Sequence, residues 1–379
     1  MMESGLYIHV PFCASKCDYC DFYSHSDAAL RSDYIDALLL EMQTEAAFLS
    51  AGKPMLRTIY FGGGTPSMLS EAEFERIFEG IRCYYDLSLC EEITLEANPD
   101  DLTIDAIQAL RRLPFNRISI GIQSLNDAEL RAIHRRHTAA QALEAVHACA
   151  AAGFQNISVD LMYGLPEQTV EQFEESLRQV LNLPIQHISS YALSWEEGSV
   201  LYAKRMKGLL KEADDAFLET CYHLLASRLA EKGFERYELS NFAKPGFVSK
   251  HNSSYWDGRW YLGLGPSAHS YNGVERRMNV ASTKRYIQSL RNGKPDREVE
   301  PLDHYTRYND YIMTRLRTMA GFDVREMEAD FGVRLRYYCM QQAKKSLHSG
   351  LLLYENFRLR LSDKALFVSD SVLSDLIWA

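Results

Sequence analysis

The sequence predicts an α/β protein in which parallel strands alternate with helices. Short apolar runs and amphipathic segments follow one another from residue 6 to residue 193, with a period of about 25 to 35 residues. Helix-start signals, such as the capping box of Ser70 and Glu73, lie between them. Strand-helix repeats of this kind require parallel pairing with right-handed crossovers. They predict either a barrel or an open doubly wound sheet.

The length of the chain indicates more than one domain, and its net charge limits the classes of partner. At 379 residues the chain exceeds one usual domain, so we expect a barrel of about 250 residues with a smaller appendage. A formal charge of −10 argues against a nucleic-acid partner, which would need a basic surface. No apolar run approaches the roughly 20 residues that span a bilayer, and residues 1–4 carry no signal-peptide pattern. We expect a cytoplasmic protein without a transmembrane segment.

The first predicted strand, residues 6–10, leads into a loop that carries Cys13, Cys17 and Cys20. Thiolates usually hold all four irons of a [4Fe-4S] cluster, so three cysteines leave one iron open. An open iron can bind the amino and carboxylate groups of S-adenosylmethionine, which an electron from the cluster can cleave to a 5′-deoxyadenosyl radical. The alternative is a structural zinc site with His25 as the fourth ligand. The remaining cysteines are scattered without metal-like or disulfide-like spacing.

The spacing of this cysteine loop, followed by Asp21 and Phe22, resembles the radical S-adenosylmethionine (SAM) superfamily. Within it, the chain is similar to the branch of the oxygen-independent coproporphyrinogen dehydrogenases and the HemW haem chaperones. The dehydrogenases carry an extra cysteine where this chain has Phe22, which favours the chaperone side. The resemblance also implies a partial (βα)6 radical-SAM barrel.

Apolar periodicity and capping residues predict the other elements of this barrel. The predicted strands cover residues 57–61, 92–97, 116–122, 156–162 and 187–193. The predicted helices begin near residue 34 and then cover residues 70–85, 103–113, 127–134, 139–152, 169–181 and 214–232. Thr169 and Gln172 repeat the capping pattern of Ser70 and Glu73.

A bare loop, Gly62-Gly63-Gly64-Thr65, follows the second strand. Adjacent glycines can let a ligand approach the backbone, and Thr65 adds a hydroxyl, although such a run is often only a turn. No lysine follows, so a P-loop is excluded. The resemblance implies that Gly63, Gly64 and Thr65 hold the amino group of the methionyl moiety.

Polar residues stand at the ends of predicted strands, the edge of a parallel sheet at which ligands bind. Glu96 and Gln123 follow the third and fourth strands, although either can be an ordinary loop residue. Asp160 lies within the fifth strand's apolar run, so its carboxylate must be paired or functional. Arg135 can be a helix-end cation, but the resemblance makes it the partner of the methionyl carboxylate.

The resemblance implies one set of SAM contacts: Tyr7, Gly63, Gly64, Thr65, Glu96, Gln123, Arg135 and Asp160. Asp160 and Gln123 can bond ribose hydroxyls, and Arg135 can clamp a carboxylate bidentately. Tyr19, between two of the cysteines, is expected to pack near the adenine.

The stretch His251-Asn252-Ser253-Ser254-Tyr255-Trp256 matches a histidine-asparagine-x-x-tyrosine-tryptophan motif of the HemW family that is associated with haem binding. The resemblance implies that His251 ligates haem iron while Tyr255 and Trp256 cover the macrocycle. The alternative is that His251 fills a gap under an aromatic cluster, the commoner place of a lone histidine. His269 is a second candidate for either role.

The C-terminal part reads as a separate small domain. A polar, proline-bounded stretch at residues 295–301 predicts a linker. Helices at 302–319, 324–331 and 335–348 and strands at 351–354 and 358–361 look like an α+β winged-helix arrangement, matching this branch. We expect this domain to cover the barrel or contact a protein acceptor. The predicted domains are residues 1–235 (barrel), 236–294 (extension with the haem motif) and 295–379.

The leading hypothesis is a cytoplasmic haem chaperone that holds a [4Fe-4S] cluster and SAM, binds haem and passes it to an acceptor such as a respiratory enzyme. An electron-donor protein is a further candidate partner. The alternative is a coproporphyrinogen III dehydrogenase of porphyrin biosynthesis, against which Phe22 speaks. A structural zinc protein is the third hypothesis.

Overall fold

Six parallel strands, each followed by a helix, form the centre of the molecule. The computed structural model describes residues 4–50 and 52–378. The central strands are β1 (Ser4–Val10), β2 (Leu56–Gly63), β3 (Glu92–Ala97), β4 (Arg117–Gln123), β5 (Ile157–Tyr163) and β6 (His187–Ala192). Each pairs in parallel with the next along the chain. The predicted α/β class and its six strands are confirmed.

The helices that follow these strands include two that begin with a predicted capping box. The helices are α1 (Arg31–Glu45), α2 (Glu71–Tyr84), α3 (Ile104–Arg112), α4 (Asp127–Ala132), α5 (Ala139–Ala151), α6 (Val170–Val180), α7 (Val200–Met206) and α8 (Asp215–Glu231). Ser70 and Glu73 form a complete capping box at α2, and Thr169 and Gln172 form another at α6. Each box satisfies backbone N–H groups that would otherwise lack partners.

The segment after α8 widens the sheet at both edges. It forms β7 (Glu235–Arg236), β8 (Asn241–Ala243), α9 (Lys250–Trp256), β9 (Tyr261–Leu264), β10 (His269–Tyr271), β11 (Glu275–Asn279), α10 (Thr283–Arg291) and β12 (Arg297–Pro301). Strand β8 joins β6, and β9 joins β1 in parallel, which gives a twelve-stranded sheet with β12 and β7 as its described edges. The barrel is therefore open.

One prediction for this region is wrong. Residues 295–301 were expected to be a linker, but Arg297–Pro301 pairs antiparallel with β11 as strand β12. Proline is tolerated at the end of an edge strand, where its missing N–H leaves no ladder bond unmade. The predicted domain boundaries remain predictions.

The C-terminal residues form a small α+β unit with its own core. Its elements are α11 (His304–Arg315), β13 (Phe322–Asp323), α12 (Val324–His348), β14 (Leu352–Glu355), β15 (Arg358–Leu361) and α13 (Ser369–Leu376). Gly332, at φ 82° and ψ 166°, divides α12 into two helical segments, in agreement with the prediction. Buried residues such as Tyr308, Leu335 and Leu359 pack between the helices and the three-stranded sheet. No helix in the described ranges is long and apolar enough to cross a bilayer.

The central strands bury polar residues on one face and apolar residues on the other. Side chains alternate along a strand, and the apolar set, such as Ile8, Ile59 and Ile118, packs against the helices. The opposite face carries a polar set: Thr58, Tyr60, Thr94, Glu96, Arg117, Ser119, Ser158, Asp160, His187 and Ser189. A polar inner face is uncommon in a packed barrel, whose interior is usually filled by branched apolar residues. It indicates a functional interior.

Candidate functional site

A cavity of about 540 Å³ lies at the carboxyl ends of the central strands. The predicted cluster and SAM residues in its wall are Cys13, Cys17, Tyr19, Cys20, Gly63, Gly64, Thr65, Glu96, Gln123, Arg135 and Asp160. Tyr7 lies behind the wall, where its ring stacks on Tyr60 at 6.1 Å and its hydroxyl is 3.2 Å from His9 Nδ1. Residues that are far apart in sequence therefore meet in one site.

The cysteine loop is tied to the strands on both sides. His25 N–H donates to Pro11 O at 2.9 Å, and Thr65 N–H donates to Phe12 O at 2.7 Å. The three cysteines are half-buried free thiols. This arrangement presents three thiols to the cavity from a backbone that is fixed at both ends.

Two polar side chains of the cavity contact the thiols. Cys13 Sγ is 3.2 Å from Thr65 Oγ1, and Arg135 Nη1 donates to Cys17 Sγ at 3.3 Å. Hydrogen bonds to the cysteine sulfurs are a usual feature of iron-sulfur sites. The donor set therefore fits an iron-sulfur cluster.

The side chains expected to bind a single zinc ion do not come together in the structure. Within the described ranges, no three His, Cys, Asp or Glu side chains gather around a point that could hold a metal ion. His25, the expected fourth ligand, has both ring nitrogens engaged elsewhere: Nε2 lies 2.8 Å from Thr283 Oγ1, and Nδ1 accepts from Asp27 N–H at 3.1 Å. Three thiols spread around a cavity suit separate corners of a cluster better than one tetrahedral ion.

The glycine loop packs against the cysteine loop. A Cβ on Gly63, which has φ 103°, would lie 2.5 Å from the His9 ring, and one on Gly64 would lie 2.7 Å from Val10 O. The missing side chains therefore make room for protein atoms, as an ordinary turn requires, and not for a ligand. The backbone of both residues still lines the cavity.

Two carboxylates lie in the cavity wall on β3 and β5, the two strands that flank β4. Glu96 accepts from the Tyr60 hydroxyl at 2.6 Å and from Gly63 N–H at 3.2 Å. Burial, followed by the nearby Asp160 charge, raises the pKa of Glu96 to about 7. Burial raises the pKa of Asp160 to about 6, and Ser119 donates to it at 3.4 Å. Both acids can therefore change protonation near neutral pH.

Gln123 and Arg135 form the wall beside β4. A register shift between Gly121 and Gln123 ends the strand, and Gln123 adopts φ 61°, a left-handed conformation that non-glycine residues seldom take. Arg135 Nη2 donates to Gly121 O at 2.5 Å and to Asn98 Oδ1 at 2.8 Å. Its Nε is buried, and no described group accepts from it. An unpaired guanidinium donor beside a cavity is suited to an anionic ligand.

The haem motif lies at the opposite, amino ends of the strands. His251, in α9, is 1% exposed, with Nδ1 2.8 Å from Thr58 Oγ1 and Nε2 2.8 Å from the Tyr255 hydroxyl. Burial lowers its pKa to about 3. Because both ring nitrogens have partners, neither is open to an iron atom in this conformation. Ligation by His251 would require one of these two hydrogen bonds to break.

The other residues considered for haem do not share a cavity with the cluster loop. Trp256 lines a separate cavity of about 300 Å³ together with Tyr311 and Arg315 of the C-terminal unit. Tyr255 packs edge-on against Tyr261 at 4.6 Å. His269 is exposed on β10. The predicted haem residues therefore remain predictions.

Several residues of this cavity were not predicted. They are Asn98, Ser119, Gly121 and Tyr191, with Phe22 at the cavity wall and 60% exposed. Their signal was present in the polar alternation along β4 to β6, where Ser119 and Tyr191 share the face of Asp160. Asn98 carried no comparable signal, because its role depends on Arg135 reaching it from another loop.

Comparison with known proteins gives two family matches and a similar solved structure. The chain matches the Radical SAM superfamily over residues 7–180 and the HemN C-terminal domain over residues 302–368. A solved structure with a similar fold is coproporphyrinogen III oxidase (HemN) from Escherichia coli, with a TM-score of 0.85 and 21% identity, covering 99% of this chain and 90% of that one.

Curated relatives match over nearly the full length. The chain is 34% identical to heme chaperone HemW of Lactococcus lactis subsp. lactis, over 99% of this chain and 97% of the relative. It is 36% identical to heme chaperone HemW of Bacillus subtilis, over 86% of each chain. It is 32% identical to the mitochondrial radical S-adenosyl methionine domain-containing protein 1 of Bos taurus, over 99% and 87%. The chain therefore belongs to the radical SAM superfamily and, within it, to the HemW family.

Proposed function

We propose that this protein is a cytoplasmic haem chaperone that holds a [4Fe-4S] cluster and SAM, binds haem and transfers it to an acceptor protein. One observation carries the proposal: three thiols, a glycine loop, two carboxylates and a guanidinium line one cavity. The chain that forms this cavity is 34% identical, over 99% of its length, to a relative named heme chaperone.

In this proposal Cys13, Cys17 and Cys20 hold the cluster, and the other cavity residues hold SAM. When bound, the cluster supplies one-electron chemistry at its open iron. Arg135 would bind the methionyl carboxylate through its Nε, which has no described acceptor, while its Nη2 donates to Asn98. When it is ionised, the Glu96 carboxylate would accept a hydrogen bond from the ammonium or a hydroxyl group of SAM.

The remaining SAM contacts would lie around the nucleoside. Gln123 and Asp160 lie on neighbouring strands, from which both can bond the ribose hydroxyls. Tyr19, also in the cavity wall, would contact the adenine. Tyr7 would act indirectly, since it lies behind the wall against Tyr60.

The proposed haem contacts are His251, Tyr255 and Trp256. Their support is the sequence motif, while the geometry opposes direct iron ligation unless α9 moves. Haem titration of His251→Ala protein tests the assignment: weaker haem binding with an unchanged cluster spectrum supports it, and unaltered haem affinity removes it. The haem acceptor and an electron donor would be protein partners, for which the C-terminal unit offers a contact surface.

The second candidate function is coproporphyrinogen III dehydrogenase activity. The likeness to the Escherichia coli oxidase concerns the fold, and Phe22 occupies the position at which the dehydrogenases carry a cysteine. Reconstituted protein should be incubated anaerobically with coproporphyrinogen III, SAM and a reductant, with a haem titration in parallel. Haem binding without protoporphyrinogen formation supports the chaperone; prompt protoporphyrinogen formation without haem binding overturns it.

A further inference from the structure

Two similar hydrogen-bonded relays close the amino end of the barrel interior. In the first, His251 connects the Thr58 hydroxyl and the Tyr255 hydroxyl at 2.8 Å each. In the second, His187 Nδ1 lies 2.7 Å from Ser158 Oγ, and its Nε2 lies 2.8 Å from the Tyr237 hydroxyl. Both imidazoles are buried. A fully satisfied buried polar network of this kind fixes its members in one arrangement.

The first relay continues upward to the SAM cavity. The His251 ring stacks on the Tyr60 ring with centroids 5.0 Å apart and planes at 25°. The Tyr60 hydroxyl donates to Glu96 Oε1 at 2.6 Å, and Glu96 lines the cavity. A continuous path of contacts therefore joins α9 to a cofactor-facing carboxylate. The His187 ring instead packs on Tyr237, at 5.7 Å.

The position of the His251 ring is fixed from several sides. The N–H groups of Lys250 and His251 both donate to the Glu92 carboxylate at 2.9 Å, which ties the start of α9 to β3. A Cβ on Gly5 would lie 3.3 Å from His251 Cε1, so the ring also fits closely against β1. A ring held this firmly can support the aromatic side chain stacked on it.

We propose that His251 is a positioning residue for the SAM site: it supports Tyr60, whose hydroxyl holds the Glu96 carboxylate in the cavity. The inference rests on the proposed function, because it requires Glu96 to contact SAM. It gives the motif histidine a role at the cofactor site that does not depend on ligation of haem iron. Loss of the ring would let Tyr60 turn, and Glu96 would then lose its fixed donor.

The test uses the anaerobically reconstituted full-length protein and three measurements: iron and sulfide content, the Kd for SAM by calorimetry and the Kd for haem. We expect His251→Gln and Tyr60→Phe each to raise the Kd for SAM by about five- to tenfold, since each loosens a hydrogen bond to a charged group. His187→Gln is the matched control, an equally buried imidazole in the second relay, and should leave the Kd for SAM within about twofold. Iron and sulfide should be unchanged in all three variants.

A double variant separates positioning from general destabilisation. If His251 acts through Tyr60, the combined His251→Gln and Tyr60→Phe protein should bind SAM no more than about twofold more weakly than either single variant, because coupled sites are not additive. Fully additive effects, or equal weakening by His187→Gln, would overturn the inference. So would a His251→Gln protein that loses haem affinity but keeps its SAM affinity, the result expected of an iron ligand.

A reference variant distinguishes failure of this inference from failure of the proposed function. Glu96→Gln should weaken SAM binding at least as much as His251→Gln. If the Glu96→Gln protein binds SAM like the unaltered protein, the inference about His251 is overturned. The proposals that the protein binds a cluster and haem would still stand. Absence of any cluster in the unaltered protein would overturn both.

Discussion

At the carboxyl ends of β1 to β6, polar side chains face a cavity. At the amino ends, polar side chains form hydrogen bonds with one another. The cavity end has half-buried thiols, an Arg135 Nε with no described acceptor and two carboxylates of raised pKa. At the amino end, both ring nitrogens of His251 and of His187 have partners. Buried polar groups that lack partners indicate ligand binding, and buried polar groups that are satisfied indicate architecture.

Arg117 is one exception at the amino end. It is 1% exposed, and its Nε and Nη1 have no acceptor in the described part of the chain. Burial is the main cause of the lowered pKa values of His187 and His251, and the positive charge of Arg117 lowers them further. Both imidazoles are therefore neutral at physiological pH. The same charge opposes the rise in the pKa values of Glu96 and Asp160 above it. Arg117 thus links the two ends electrostatically.

The largest expected effect concerns the cavity end. Cys17→Ser should lose most of its iron and sulfide under anaerobic reconstitution, because only two thiolates would remain to hold the cluster. Iron and sulfide analysis with the absorption spectrum checks this. Cys90→Ser is the matched control, since Cys90 is also half-buried but lies outside the cavity. Cys17→Ser protein with its full complement of iron and sulfide would remove the basis of the cluster proposal.

The next effect tests the contact between the two loops. Gly64→Ala would place a Cβ 2.7 Å from Val10 O and 2.8 Å from Phe12 O, atoms of backbone that cannot move without displacing the cysteine loop. We expect a loss of about 1–3 kcal/mol in the free energy of unfolding, as for other overpacked sites, and a reduced iron content. Thermal unfolding and iron analysis measure both.

Gly52→Ala is the control for this prediction, because a Cβ there meets no atom within 4 Å. Equal stability and iron content for the Gly64 and Gly52 variants would show that the two loops are not held together by this close approach.

Much of the cavity end could be predicted from sequence, and the reason is local. The cysteine loop, the glycine loop and Asp160 each carry a pattern within a few residues, and parallel topology brings strand ends together without further information. The twelve-stranded sheet could not be predicted in the same way. Strands of two to five residues, such as Glu235–Arg236 and Arg297–Pro301, are too short for period-two alternation and depend on the pairing partner.

The amino end shows the same limit in a different form. His251 was recognised within a short motif, but its partner Thr58 lies 193 positions earlier in the chain, so the satisfied relay was not visible in the sequence. Along β2, Thr58 and Tyr60 alternate with apolar residues, and this pattern is present in the sequence. It did not indicate which polar residues would be satisfied internally, because that depends on where α9 docks.

The third prediction uses the raised pKa values of the cavity acids. In the proposed site, Glu96, with a pKa of about 7, and Asp160, with a pKa of about 6, would accept hydrogen bonds from SAM when ionised, so SAM affinity should fall as the pH drops through these values. Glu96→Gln should bind SAM about tenfold more weakly above pH 7 and lose the upper step of the pH profile. Calorimetric titrations between about pH 5.5 and 8.5 measure both.

SAM itself titrates in the same way whether it is mixed with the unaltered protein or with Glu96→Gln. Its titration therefore cannot cause a difference between the two pH profiles. The groups around Glu96 that also bear charge or titrate are Tyr60, Asp160 and Arg117. A Glu96→Gln protein with an unchanged profile would assign the pH dependence to Asp160 or to the ligand.

The smallest expected effect comes from removing one hydroxyl group from each of the two relays. Thr58→Val and Ser158→Ala each remove the hydroxyl that partners a buried imidazole, so each should lower the free energy of unfolding by about 1–3 kcal/mol. Only Thr58→Val loosens the ring stacked on Tyr60, and we expect it to raise the Kd for SAM about twofold to threefold, while Ser158→Ala leaves it unchanged. Denaturant unfolding and calorimetry measure the two quantities on the same samples. A Ser158→Ala protein that weakens SAM binding as much as Thr58→Val would mean that the amino end supports the cavity as a whole and not through Tyr60.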